Sequence, residues 1–136
     1  MKNTVVSLGL SVLLAIVGLA HVGCSGDSPA KVVTRYHEAS EKVDVKTMAE
    51  LLEPGEMKTM YEKLLTSDSP DDAKFREQAI ETMKEVVAND KRGGIASTVE
   101  TINGDSAEVK VTYKKGDTNT IKLVKIDGKW KIKTSR

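Results

Sequence analysis

The chain holds a single cysteine, Cys24, among its 136 residues, so no intramolecular disulfide can form and stability must come from packing alone. It has only two histidines, His21 and His37. Two histidines and one cysteine do not make a convincing metal site, and no metal or other cofactor is expected. Charge of one sign is also missing: 21 basic residues stand against 20 acidic ones, a balance that gives no footprint for nucleic acid. The glycines cluster at turns, which leaves no phosphate-cradling loop. What the sequence does have is one long apolar run, from Val5 to Ala20, and the rest of the chain is read from where that run ends.

Lys2, the apolar run, and then the small residues before Cys24 follow the three-part order of an export signal: a positive start, an apolar stretch and a small-residue exit. The alternative, a permanent membrane span, asks for about 20 predominantly apolar residues, more than this glycine-interrupted run supplies. Val22-Gly23-Cys24 resembles the lipobox of bacterial lipoproteins, in which the cysteine is lipidated and becomes the mature N-terminus; His21 stands where leucine is usual. The resemblance implies a signal peptide over 1–23, lipidation of Cys24, a tether over 24–28 and a single domain over 29–136. Its partner would be a membrane outside the cytoplasm, in the cell envelope. Ordinary cleavage after Gly18-Leu19-Ala20 is the competing expectation and would give a soluble exported domain.

Beyond the junction, Ser28-Pro29 reads as an N-cap with proline at the first helical position, followed by Val32, Val33, Tyr36, Ala39, Ser40 and Val43 at helical spacing. Asp44 caps a second, shorter helix through Leu52, stopped by Glu53-Pro54-Gly55. Met57, Met60, Tyr61, Leu64 and Leu65 mark a third. Ser69-Pro70-Asp71-Asp72 repeats the cap-and-proline start, and Phe75, Ala79, Ile80, Met83, Val86 and Val87 form the stripe of a fourth. The period then changes to two. Ile95–Ile102, Ser106–Lys114, Thr118–Ile126 and Lys129–Thr134 read as strands separated by Asn103-Gly104-Asp105, Lys115-Gly116-Asp117 and Asp127-Gly128, each a hairpin signal. Helices followed by a one-sided antiparallel meander make an α+β domain. Val99, Thr101, Val109, Val111, Ile121, Leu123 and Ile132 are expected on the inner face, with Trp130 beside Ile132 as a core plug.

Ile102-Asn103-Gly104-Asp105-Ser106-Ala107-Glu108-Val109-Lys110-Val111 and Asp127-Gly128-Lys129-Trp130-Lys131-Ile132, after helices, resemble the lumazine-binding-like lipoprotein domains of unknown function, within the cone-shaped, cystatin-like superfamily of nuclear transport factor two. The resemblance spans about Ala30 to Lys133. It implies a curved sheet and helices enclosing a pocket, with Tyr36, His37, Tyr61, Tyr113 and Trp130 as the polar side chains to line it. Some members act as isomerases or dehydratases, yet the expected inward strand positions include no carboxylate to serve as a general base.

The charge is unevenly spread. Ser25 to Arg92 carries 15 acidic and 11 basic residues, whereas Lys110 to Arg136 carries 2 acidic and 9 basic. Strand parity gathers Lys110, Lys114, Lys122, Lys131 and Lys133 on the outer face, either as a solvated surface or as a basic patch facing headgroups or an acidic partner. Three readings follow. The favoured one is a non-catalytic envelope lipoprotein binding an envelope protein or a small apolar ligand; the others are a small cone-pocket enzyme and a structural partner of an anionic membrane surface. The sequence leaves the oligomeric state open.

Overall fold

The computed structural model describes residues 26–66 and 69–134; the expected signal and the Cys24 junction lie outside them. The first helix, α1 (Pro29–Glu41), starts where the sequence puts it, and its orphan N–H groups can be accounted for one by one. Pro29 has none to satisfy, and the Ser28 hydroxyl accepts from Lys31 N–H at 3.3 Å. Val32 N–H donates to the Ser28 carbonyl at 3.0 Å. The remaining donor, Ala30 N–H, is taken by the Glu100 carboxylate at 2.8 Å, reaching across from the sheet. A first turn with no acidic residue of its own is thus completed by one seventy positions away.

α1 ends two residues before Val43, which adopts a positive φ of 52° and turns the chain into α2 (Val45–Leu51), capped by Asp44 through Thr47 N–H. α3 (Glu56–Thr66) and α4 (Pro70–Ala88) follow. The strands β1 (Ile95–Asn103), β2 (Ser106–Tyr113), β3 (Thr118–Ile126) and β4 (Lys129–Ile132) form one antiparallel sheet in the order β1-β2-β3-β4. This is the expected α+β architecture. At the β3–β4 turn Asp127 and Gly128 have φ of 49° and 76°, the left-handed pair that an Asp-Gly hairpin provides.

The core lies between α1, α2, α3 and one face of the sheet. Val33, Leu52, Val109, Val111 and Leu123 are at most 1% exposed, each burial stabilising by roughly 1.5–3 kcal/mol. Leu52 also forms a parallel bridge with Ile132, and Glu53 N–H donates to the Ile132 carbonyl at 2.9 Å. The chain leaving α2 therefore covers part of the β4 edge, one of the two edges that a four-stranded sheet would otherwise leave open.

Two expectations about the sheet are corrected. Val99 and Thr101 do not point inward. A register shift between Ile95 and Ser97 inserts Ala96 as an extra residue, after which Thr98, Glu100 and Ile102 pair with the inner residues Val111, Val109 and Ala107. One extra residue exchanges the two faces of a strand. Val99 is consequently 65% exposed, and a carboxylate that parity had placed outside, Glu100, becomes the partner of α1. Trp130 is only half-buried: it packs on the core along one side, and the Lys125 ammonium sits 5.5 Å from its ring centroid. It is a boundary residue and not a plug.

Candidate functional site

The five polar side chains expected to share a pocket occupy three separate places. Tyr36 on α1 and Tyr61 on α3 meet through their hydroxyls at 3.5 Å, Tyr61 buried and Tyr36 half-buried. Burial, and then the contact with Tyr61, pushes the Tyr36 phenol above its ordinary range, so it stays a neutral packing group. His37 lies one residue on, its ring centroid 5.9 Å from that of buried Tyr113 and its Nδ1 3.6 Å from the Glu41 carboxylate. Tyr113 is occupied in turn: Arg92 covers its ring at 4.4 Å and donates to its hydroxyl at 3.1 Å. Asp90 binds the same guanidinium at 2.8 Å, and that contact pulls its carboxyl down to about 2.

Trp130 stands at the opposite end of the sheet. It pairs with Lys125 beyond the β2 residue Ser106, whereas Tyr113 closes the far end of β2. At about 3.3 Å per residue the two are separated by about 25 Å. The interior between these groups is filled by Val109, Val111, Leu52 and Leu123. Two pairs do meet, Tyr36 with Tyr61 and His37 with Tyr113, but the tyrosine hydroxyls are already engaged, by each other or by Arg92, and Trp130 stands apart from both pairs.

Around Trp130 the surface opens into a groove of about 690 Å³. Its floor is Val32 and Leu51; its walls carry Arg35 from α1, Lys58 from α3, and Lys129 and Lys131 from β4, against Asp27, Glu50 and Asp127. Asp27 is engaged by two cations, Lys31 at 2.8 Å and Arg35, and the hydrogen bond from Lys31, followed by that from Arg35, holds its carboxyl below the usual range. Lys58 reaches Glu62 at 3.7 Å. The Lys131 ammonium donates to the Glu50 carbonyl, and partial burial, then the neighbouring cations Lys58 and Lys129, lower its pKa. Gly26 touches this site as well, since a Cβ there would lie 3.7 Å from the Gly128 carbonyl. A second groove of about 710 Å³ sits at the other end of β4 between Pro54, Met57, Met60 and Thr134.

The five lysines expected on one outer face are not equivalent. Lys110 and Lys122 are exposed there, with Glu108 directly opposite Lys122. Lys114 runs along Gly93 and Gly94, and Lys133 continues beyond β4 with its N–H on the Lys122 carbonyl. Lys131 leaves the face for Glu50. Sequence reasoning missed Arg35, Lys58 and Lys129 as groove residues. The spacing of Asp27, Lys31 and Arg35, one helical turn apart each, was the available signal for one wall. Nothing local marks Lys58 as a neighbour of β4.

No protein-family profile matches the chain, and no curated protein matches it. A solved structure from Campylobacter jejuni, described as a candidate NTF2-like transpeptidase, is similar over 80% of this chain and 100% of its own, at 19% identity and a TM-score of 0.44. Similarity at that level does not carry an activity from one chain to the other. The fold assignment rests on the four helices and the antiparallel meander themselves.

Proposed function

We propose that this protein is an exported binding domain, held on a membrane of the cell envelope by lipid on Cys24, that works by association and not by catalysis. The observation that carries the non-catalytic part is the separation of Tyr113 and His37 from Trp130 by the length of the sheet, with Tyr36 and Tyr61 engaged with each other. Both grooves are open at the surface; the one around Trp130 is lined mainly by charged side chains, suited to a protein partner, and the one between Pro54, Met57 and Met60 is the more apolar, suited to a protein or a small apolar ligand. The anchoring part is supported by the Val22-Gly23-Cys24 resemblance and by the lone cysteine, which otherwise has no role. Several acyl chains, at about 0.8 kcal/mol per buried methylene, would hold the domain firmly.

The test compares wild type with Cys24→Ala by fatty-acid labelling and membrane fractionation. Label and membrane recovery lost together in the variant are the expected result. Equal recovery of both proteins in the soluble exported fraction overturns the anchor and leaves a soluble exported domain. Substitution of His37 by Gln and of Tyr113 by Phe should leave ligand association unchanged; a selective loss of turnover of any isomerase or dehydratase substrate in those variants would revive the enzyme reading.

A further inference from the structure

The groove around Trp130 has two properties that bear on what occupies it. The first is its place. Gly26 lies against the β3–β4 turn, and only Ser25 separates it from Cys24, so the anchor is within about 7 Å of the groove's rim at about 3.5 Å per residue. The second is its electrical state. Its lining carries four cations, Arg35, Lys58, Lys129 and Lys131, against three anions, Asp27, Glu50 and Asp127. Asp27 is already committed to Lys31 and Arg35, and Lys129 is exposed. An anion entering beside Lys129 and Lys131 would relieve that surplus, and Trp130 between them supplies an amphipathic ring of the kind found at headgroup depth.

We propose that this groove docks the phosphate of an anionic phospholipid headgroup in the membrane that carries the protein, with Lys129 and Lys131 as the phosphate-binding groups and Trp130 against the glycerol backbone. The inference rests on the anchored reading above for its orientation. It replaces the outer sheet face, where Glu108 opposes Lys122, as the membrane-facing surface.

Trp130 is the only tryptophan, so its emission reports on this groove alone. The full-length protein in non-ionic detergent is titrated with short-chain phosphatidylglycerol, short-chain phosphatidylcholine and inorganic phosphate. The expected result is a saturable blue shift with phosphatidylglycerol, and affinity falling about fivefold for each lysine removed in Lys129→Gln and in Lys129→Gln with Lys131→Gln. Lys129→Gln keeps the test readable if loss of the Lys131–Glu50 contact harms folding. Equal response to phosphatidylcholine, saturation by inorganic phosphate at the same concentration, or an unchanged affinity in Lys129→Gln overturns the proposal. Fatty-acid labelling of the same preparations separates the two readings: a labelled protein with a flat titration sinks the groove alone, and an unlabelled one with a normal titration sinks the anchor alone.

Discussion

The helices α1 and α4 start with the same device and end in opposite circumstances. Each has serine at the N-cap and proline at the first position, and in each the serine hydroxyl accepts the N–H three residues on at 3.3 Å. α1 buries Pro29, Val32, Val33 and Ala39. α4, longer at 19 residues, buries none: Ala79 and Met83 lean on the core, while Phe75 is 58% and Val86 66% exposed. A cap and a pattern decide that a helix forms, because those interactions are local. Whether its stripe is covered depends on how much apolar face the sheet has left, and a four-stranded meander already carrying α1 and α2, with α3 packed on α2, has little to offer. α4 is fastened at its exit instead, where Asp90 and Arg92 just past its end hold Tyr113 of β2.

That contrast can be broken most sharply by charge. Val33→Asp on α1 should cost about 3–5 kcal/mol, the penalty of an uncompensated buried charge, whereas Val86→Asp on α4 should stay within about 0.5 kcal/mol. Chemical denaturation of the two variants decides it. Comparable losses would mean that the α4 stripe is covered in solution.

The caps test the same difference more gently. Ser28→Ala should lower global stability by about 1 kcal/mol, since α1 melts only with the core. Ser69→Ala should leave the global transition in place and appear as faster amide exchange in the first turn of α4. A uniform slow exchange across α4 in the wild type would refute its looser attachment to the core.

Next in size is the long-range cap. Glu100→Ala removes the acceptor for Ala30 N–H and should cost about 0.5 kcal/mol, the exposed setting keeping the effect modest. Glu108→Ala, on the opposite face of the sheet, serves as its control. Equal stability of the two variants, or a loss confined to Glu108→Ala, would return β1 to the unbulged parity.

The smallest effect is expected from the α4 exit. Arg92 holds the Asp90 carboxyl at about 2, below its value in the unfolded chain, so the interaction contributes above about pH 4 and is lost as pH falls toward 2. Its exposure and the screening of surface pairs keep the contribution small. Titration of the Asp90 side-chain carbon by NMR should give that depressed midpoint, and Arg92→Gln should return it to the ordinary carboxylate range. A normal midpoint in the wild type would detach α4's exit from the sheet.

How much of the molecule was written in the chain varies with the distance over which the signal acts. The helix starts at Ser28 and Ser69, the stop at Pro54-Gly55 and the Asp127-Gly128 turn are short-range effects of capping and left-handed backbone, and they were legible. So was the alternation of β2, whose Ala107, Val109, Val111 and Tyr113 are all buried. The face of β1 was not legible, because Ala96 enters as an extra residue without a glycine or proline to mark it, and every side chain after it changes sides. The groove was legible only in part: Asp27, Lys31 and Arg35 follow one another at helical-turn spacing from just before α1 into it, but Lys58 and Glu50 come from two other helices and meet Lys129 and Lys131 only when the chain leaving α2 bridges to β4. The sequence by itself determined which segments are helix and which are strand, since those choices are made within a few residues. The tertiary structure alone decided which polar side chains meet, and it distributed over three places the five that the family resemblance implied would line one pocket, because packing brings together distant positions according to the area they can bury and not according to the chemistry they carry.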